Sequence, residues 1–168
     1  MSLTLILMRH AKSSWSDKTI DDFDRSLNER GRRSARAIGT WLSEKGHVPD
    51  DVVVSGARRT VDTWAGIAPM LPRVADMRSS PALYPGTLET LLAVVRGARA
   101  TPLLLIGHNP ACANFAARIV TERGNHPRFD DFPTGATAVI EFSASAWEAV
   151  DWGEGRLAGF MVPRELLD

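Results

Sequence analysis

Arg9-His10-Ala11-Lys12-Ser13 places an imidazole between cations directly after the apolar run Leu3-Thr4-Leu5-Ile6-Leu7-Met8. In an open α/β sheet, ligands bind in the crevice beyond the carboxyl ends of the strands. There Arg9 and Lys12 attract a phosphate, and a neutral His10 can take the phosphoryl group as a nucleophile. The structural alternative is a strand-end histidine exposed beside two solvated cations. A second histidine follows the run Leu103 to Ile106, in Gly107-His108-Asn109-Pro110, and so shares that strand edge with His10. Between them lies Ser55-Gly56-Ala57-Arg58-Arg59-Thr60-Val61-Asp62-Thr63, with two arginines in the first turn of an expected helix. Cations are disfavoured at that end of the helix dipole unless an anion sits there. Arg58 has a structural explanation, because Asp62 stands four residues on and can pair with it. Arg59 faces Thr63 at that spacing, and a phosphate against the helix N-terminus would satisfy it. Arg25 either pairs with Asp22 or Asp24 or reaches back over the same edge.

Apolar stretches of strand length, Leu3 to Met8, Val52 to Val54 and Leu103 to Ile106, alternate with helical patterns, the rhythm of a parallel α/β sheet. Ser26-Leu27-Asn28-Glu29 reads as a capping box opening a helix whose Ala35, Ile38, Gly39 and Leu42 share a face, with Gly46 as its stop. Further helices are expected from about Ala57 to Met70, before Pro72, and from about Thr87 to Arg96. Asn109 at a cap with Pro110 in the first turn opens another. Thr137 to Phe142 and, after the turn-like Gly153-Glu154-Gly155, Arg156 to Val162 read as two late strands, antiparallel at one side of the sheet, and Pro127 to Pro133 as an irregular segment overhanging the site.

The 168 residues fit one domain, and 44% hydrophobic with 24% charged residues suits a soluble globular chain. Twenty basic and twenty acidic residues cancel, which argues against general attraction to nucleic acid or acidic membranes and makes any anion site local. The lone Cys112 excludes an internal disulfide, fits a reducing compartment and reads as a small apolar helix residue. No apolar stretch has the length of a membrane span, and the opening run is too short for a signal peptide, so a cytoplasmic protein is expected. His10, His47, His108 and His126 lack metal-ligand spacing, and no metal or other cofactor is expected. Asp21-Asp22-Phe23-Asp24 and Asp130-Asp131 read as solvated loops, while Trp15 and Trp147, as large apolar residues, are expected in the core, with an interface as the alternative.

With these motifs in this order, the chain resembles the histidine phosphatase superfamily, whose phosphoglycerate-mutase-like domains carry an Arg-His-Gly signature after the first strand. The nearer likeness is to the small SixA-type phosphohistidine phosphatases, in Arg9-His10-Ala11-Lys12-Ser13 and Asp22-Phe23-Asp24-Arg25-Ser26-Leu27-Asn28-Glu29-Arg30-Gly31. The family's Ser-Pro-x-x-Arg-Ala-x-x-Thr matches at Ser55, Arg59 and Thr63, and its Gly-His-Asn-Pro at Gly107 to Pro110. The chain departs from the pattern with Ala11 for Gly, Gly56 for Pro and Thr60 for Ala. Larger relatives also place a proton-donating glutamate where this chain has Ala82-Leu83-Tyr84-Pro85-Gly86; Glu89, nearby, is the candidate for that acid, although it falls in the first turn of the next helix, where an acidic residue is favoured anyway.

The resemblance implies a three-layer α/β/α sandwich around a mostly parallel sheet, without a cap domain. It also implies a metal-independent phosphatase in which His10 becomes phosphorylated and water releases the phosphate. Arg9, Arg25, Arg59, His108 and Ser13 would hold the phosphoryl group, with backbone N–H groups of Ala11 to Ser13 completing the cradle. Without the glutamate, a phosphohistidine in a protein is the preferred substrate, since imidazole leaves more readily than an alkoxide. The alternatives are a small-metabolite phosphomonoesterase and a phosphate-binding module without turnover.

Overall fold

A computed structural model describes residues 2–167. Six strands form one sheet in the order β3-β2-β4-β1-β5-β6. They are β1 (Leu3–Arg9), β2 (Asp51–Val54), β3 (Met77–Ser79), β4 (Leu103–Gly107), β5 (Thr137–Phe142) and β6 (Arg156–Met161). β1, β2, β3 and β4 are parallel, β5 runs against β1, and β6 runs against β5, so β5 alone opposes the common direction. Near-continuous apolar runs give this arrangement because a central strand is buried on both faces. Successive side chains alternate: Leu5, Leu7, Leu103 and Leu105 enter one core, and Ile6, Met8, Leu104 and Ile106 the other.

Helices cover both faces. α1 (Glu29–Glu44) and α2 (Arg58–Ile67) bury Ile38, Leu42, Trp64 and Ile67 in one core; α3 (Leu88–Arg96) and α4 (Ala111–Ile119) bury Leu91, Val95, Phe115 and Ile119 in the other. A short α5 (Arg164–Leu167) follows β6. The layered α/β architecture is the expected one.

Several boundaries move. α1 begins at Glu29 rather than near Ser26, because Leu27 bridges to Ser13 and the Ser26 carbonyl accepts the Ser14 N–H at 2.9 Å, holding that stretch extended. Asn28 is the cap, accepting the Gly31 N–H at 2.8 Å. Pro110, rather than Asn109, occupies the cap position of α4, while Asn109 Oδ1 accepts the Ala113 N–H at 3.1 Å from just outside. β3 has no counterpart in the sequence reading: three residues, Met-Arg-Ser, at an edge carry too little pattern. Trp147 is buried, but Trp15 is 71% exposed, held against the Arg25 guanidinium 3.5 Å from its ring centroid. Cys112 is buried in α4, and burial pushes its thiol up to about 12.

The parallel strands place Arg9, Val54 and Gly107 at one edge of the sheet. Since β1 and β2 flank β4, the chain leaves all three neighbours into the same crevice.

Candidate active site

His10 and His108 meet here because Arg9 pairs with Gly107 across β1 and β4. The His10 N–H donates to the Gly107 carbonyl at 3.0 Å, and the two rings lie 5.3 Å apart. His10 Nδ1 lies 2.6 Å from the Ala11 carbonyl oxygen. A carbonyl only accepts, so Nδ1 carries the proton and Nε2 keeps its lone pair. Burial, reinforced by His108, Arg59 and Arg9, pushes the His10 imidazolium down to about 3. The ring is therefore neutral at ordinary pH.

His108 is set by hydroxyls. Its Nε2 is 2.7 Å from Ser55 Oγ, which lies 3.1 Å from Thr60 Oγ1, and Thr60 donates to the Ala57 carbonyl at 2.8 Å. Its Nδ1 faces Arg59 NH2 at 3.4 Å; arginine only donates, so Nδ1 is the acceptor and Nε2–H donates to Ser55. In the other tautomer, with the ring proton on Nδ1, the Ser55 hydroxyl turned to donate to Nε2 and Arg59 NH2 moved off Nδ1, His108 would donate from Nδ1. Burial, then Arg59, pushes the His108 imidazolium down to about 4.

Arg59 is buried in the first turn of α2, as expected, but it is not without a protein partner. NH1 donates to the Asp22 carbonyl at 2.7 Å, and NH2 pairs with the Asp22 carboxylate at 3.1 Å. Arg25, also buried, donates from Nε to Asp22 Oδ1 at 3.0 Å and from NH1 to Ser13 Oγ. Arg25 thus takes the pairing with Asp22 that the sequence offered, and this places its guanidinium beside Ser13 and, across the shared Asp22 carboxylate, near Arg59. Arg58 is mostly exposed and pairs with Asp62 at 3.5 Å. Arg9 NH1 donates to the Phe132 carbonyl at 3.3 Å, and Phe132 adopts a left-handed backbone (φ 46°) that is strained for a residue with a Cβ. The Nε atoms of Arg9 and Arg59 are buried without a hydrogen-bond partner. Arg9 and Arg59 lie close enough to both imidazoles to disfavour their cationic forms, and guanidinium groups so placed attract an anion.

The loop after β1 is fixed from two sides. The Ala11 N–H donates to Thr63 Oγ1 at 3.0 Å, and that hydroxyl donates to the Arg59 carbonyl at 2.7 Å. The Ala11 N–H is thus consumed and does not join a phosphate cradle. On the other side the Asn28 N–H donates to the Lys12 carbonyl at 3.1 Å. A Cβ on Gly31 would lie 2.0 Å from the Lys12 carbonyl oxygen, so the glycine permits α1 to pack against the loop.

Two residues of the site escaped the sequence reading. Asp22 sits in a short 3-10 turn, and its carboxylate, 48% exposed, is tied to Arg25, Arg59 and the Tyr84 hydroxyl, the last at 2.6 Å. It is therefore not the freely solvated loop residue expected. The Tyr84 hydrogen bond, with Arg25 and Arg59, pushes its carboxyl down to about 2. Tyr84 packs edge-on against His108, with ring centroids 5.2 Å apart. The available signals were the three-residue spacing of Asp22 and Arg25 and the occurrence of the chain's single tyrosine in the stretch lacking a glutamate. Asp22, Arg59, Tyr84, Pro85, His108 and Asn109 line an open pocket of about 290 Å³. Glu89, in the first turn of α3, lies instead in a depression with Leu92, Arg96 and Trp152.

The sequence profile of the histidine phosphatase superfamily (branch 1) matches residues 5–84. An uncharacterised protein of Mycobacterium tuberculosis is 34% identical over 166 residues, covering 94% of this chain and all of that one. The structure of the candidate phosphohistidine phosphatase SixA from Nakamurella multipartitia superposes with a TM-score of 0.80 at 30% identity, covering 97% of both chains. Its counterpart from Agrobacterium tumefaciens superposes at 0.77 with 26% identity, over 96% of this chain and 98% of that one. The chain belongs to the histidine phosphatase superfamily. It is a phosphatase of that family, with the phosphoglycerate-mutase-like fold of its SixA-type structures.

Proposed function

We propose that His10 is the nucleophile of a two-step, metal-independent phosphoryl transfer whose preferred substrate is a phosphohistidine in a protein. One observation carries the reading: His10 donates from Nδ1 to a backbone carbonyl, so Nε2 keeps its lone pair, and the nearby Arg59 and Arg9 guanidinium groups disfavour the imidazolium. In the first step Nε2 forms a bond to phosphorus as the bond to the leaving group breaks in line. Arg9, Arg59 and Arg25 neutralise the phosphoryl oxygens, and His108, in the tautomer protonated on Nδ1 with Ser55 donating to Nε2, donates a hydrogen bond to one of them. Ser13, whose oxygen takes the Arg25 bond, retains a hydroxyl proton to donate. Water then attacks phosphorus, the Nε2–P bond breaks, and His10 returns neutral. Such catalysis is positioning and charge stabilisation, which an arginine and histidine cage supplies.

The substrate preference rests on proton supply. The Asp22 carboxyl is held ionised, with its titration near 2, and Glu89 lines another depression, so neither is a ready acid for an alkoxide. A phosphoimidazole protonated on its second nitrogen needs no such donor, because the electron pair of its broken N–P bond leaves on a neutral imidazole. The test compares kcat/KM for a phosphohistidine peptide with that for a sugar phosphate. A preference of at least about a hundredfold for the phosphoimidazole, roughly 2.7 kcal/mol of transition-state energy, is expected. Equal or faster hydrolysis of the sugar phosphate would instead identify a small-metabolite phosphomonoesterase, and binding without hydrolysis of either compound a phosphate-binding module.

A further inference from the structure

A second groove, of about 260 Å³, opens at the same sheet edge on the other side of the loop after β1. Its lining includes Lys12, Arg30, Arg128 and Arg164, with the buried Ser34 of α1. β6 runs in the direction of β1, so Val162, Pro163 and Arg164 emerge at the edge where Arg9 and His10 emerge. The cage lies beyond β1, β4 and β2, whereas the groove lies beyond β1, β5 and β6. At about 4.8 Å between strands, their centres are roughly 10 Å apart. The two sites also share segments. Lys12 follows His10 in one loop, and Pro133 and Thr134 of the groove follow Phe132, whose carbonyl holds Arg9.

The charge of this groove lacks an internal explanation. Arg128 pairs with Asp131 at 2.8 Å, but among the described residues no carboxylate forms an ion pair with Lys12, Arg30 or Arg164. Arg30 stands in the first turn of α1, where the helix dipole disfavours a cation. In a chain of zero net charge, three unpaired cations converging from three segments mark a local field for anions. We infer that this groove is a second anion site, which holds acidic side chains flanking the phosphohistidine of a protein substrate. The inference rests on the substrate reading above. A roughly 10 Å offset suits side chains on a protein surface and exceeds the reach of a three-carbon bisphosphate.

The experiment uses the full chain, the double variant Arg30→Gln with Arg164→Gln, the milder single Arg164→Gln, and His10→Ala. Binding of a fluorescent hexaglutamate peptide is followed by anisotropy at low salt. Wild type and His10→Ala should bind alike, the double variant at least tenfold more weakly, and the single variant between them. For a phosphohistidine peptide with glutamate flanks, kcat/KM should fall about tenfold in the double variant, while an aryl phosphate stays within twofold of wild type. Unchanged peptide binding in the double variant, or an equal fall for the aryl phosphate, overturns the inference. Loss confined to a small bisphosphate overturns it in favour of a metabolite subsite. Peptide binding that depends on Arg30 and Arg164, in an enzyme inert towards phosphohistidine, upholds the groove and refutes the substrate reading.

Discussion

His10 differs from an ordinary surface histidine in which nitrogen is occupied and in how hard the ring is to protonate. Because burial and the neighbouring cations push its imidazolium down to about 3, and that of His108 to about 4, the neutral nucleophile persists well into acid. The acid limb of kcat/KM for an aryl phosphate, corrected for substrate ionisation, should therefore appear below about pH 4.5; a limb near 6.5, the free histidine value, would contradict the assignment. Asp22 pairs with Arg25 and Arg59 and opposes an incoming phosphate with its own charge. Asp22→Asn should lower the inhibition constant of inorganic phosphate about tenfold, equivalent to ~1.4 kcal/mol, which is modest for a unit charge several ångströms away. Weaker phosphate inhibition in that variant would show instead that Asp22 serves to align the arginines. At this scale the sequence disclosed residues whose types are costly where they stand: a histidine beyond a strand and an arginine at a helix N-terminus. Asp22 was hidden because an acidic loop residue is common, and its partner Arg59 is 37 positions away.

Among the elements, the loop from Ala11 to Ser13 is the part whose geometry matters most, and it is clamped by α1 on one side and α2 on the other. Thr63→Val keeps the shape but removes the acceptor of the buried Ala11 N–H, which should cost about 1–3 kcal/mol and appear as a lower urea midpoint. Gly31→Ala drives a Cβ into the Lys12 carbonyl, so backbone must move; both stability and kcat/KM should fall, with refolding yield and aryl phosphate hydrolysis as the readouts. Wild-type behaviour in either variant would mean that the loop is held by other contacts. Strands and helix extents were legible where periodicity is strong, as in β1, β4 and α3. The start of α1 was not: Ser26 and Asn28 are both competent caps, and the choice between them is made by the pairing of Leu27 with Ser13, a tertiary contact. Gly31 is likewise unremarkable as sequence until the loop it touches is known.

For the molecule as a whole, the parallel strand rhythm was enough to place His10, Arg59 and His108 at one edge, because strand direction alone decides which ends meet. It did not reveal the basic groove: the antiparallel return of the last strand was legible, but the meeting of Lys12, Arg30 and Arg164 depends on which segments that strand end packs beside, and this leaves no trace in local pattern. Global stability carries the signature of the site. In the unfolded chain, histidine protonates below about pH 6.5, whereas His10 and His108 stay neutral in the native state to about 3 and 4. The unfolded state therefore binds more protons in that window, and stability must fall as pH drops from 6.5 towards 4. His10→Ala should flatten that decline in Tm; an unchanged slope would mean that the ring titrates normally. The most direct test of the proposed chemistry is a rapid quench with 32P-labelled aryl phosphate, comparing wild type with His10→Ala. An acid-labile, base-stable protein label in the wild type is predicted, lost in the variant together with at least about a thousandfold of turnover, or ~4 kcal/mol. Persistence of the label in the variant, or rapid turnover by a variant lacking His10, would contradict His10 as the group that carries the phosphate.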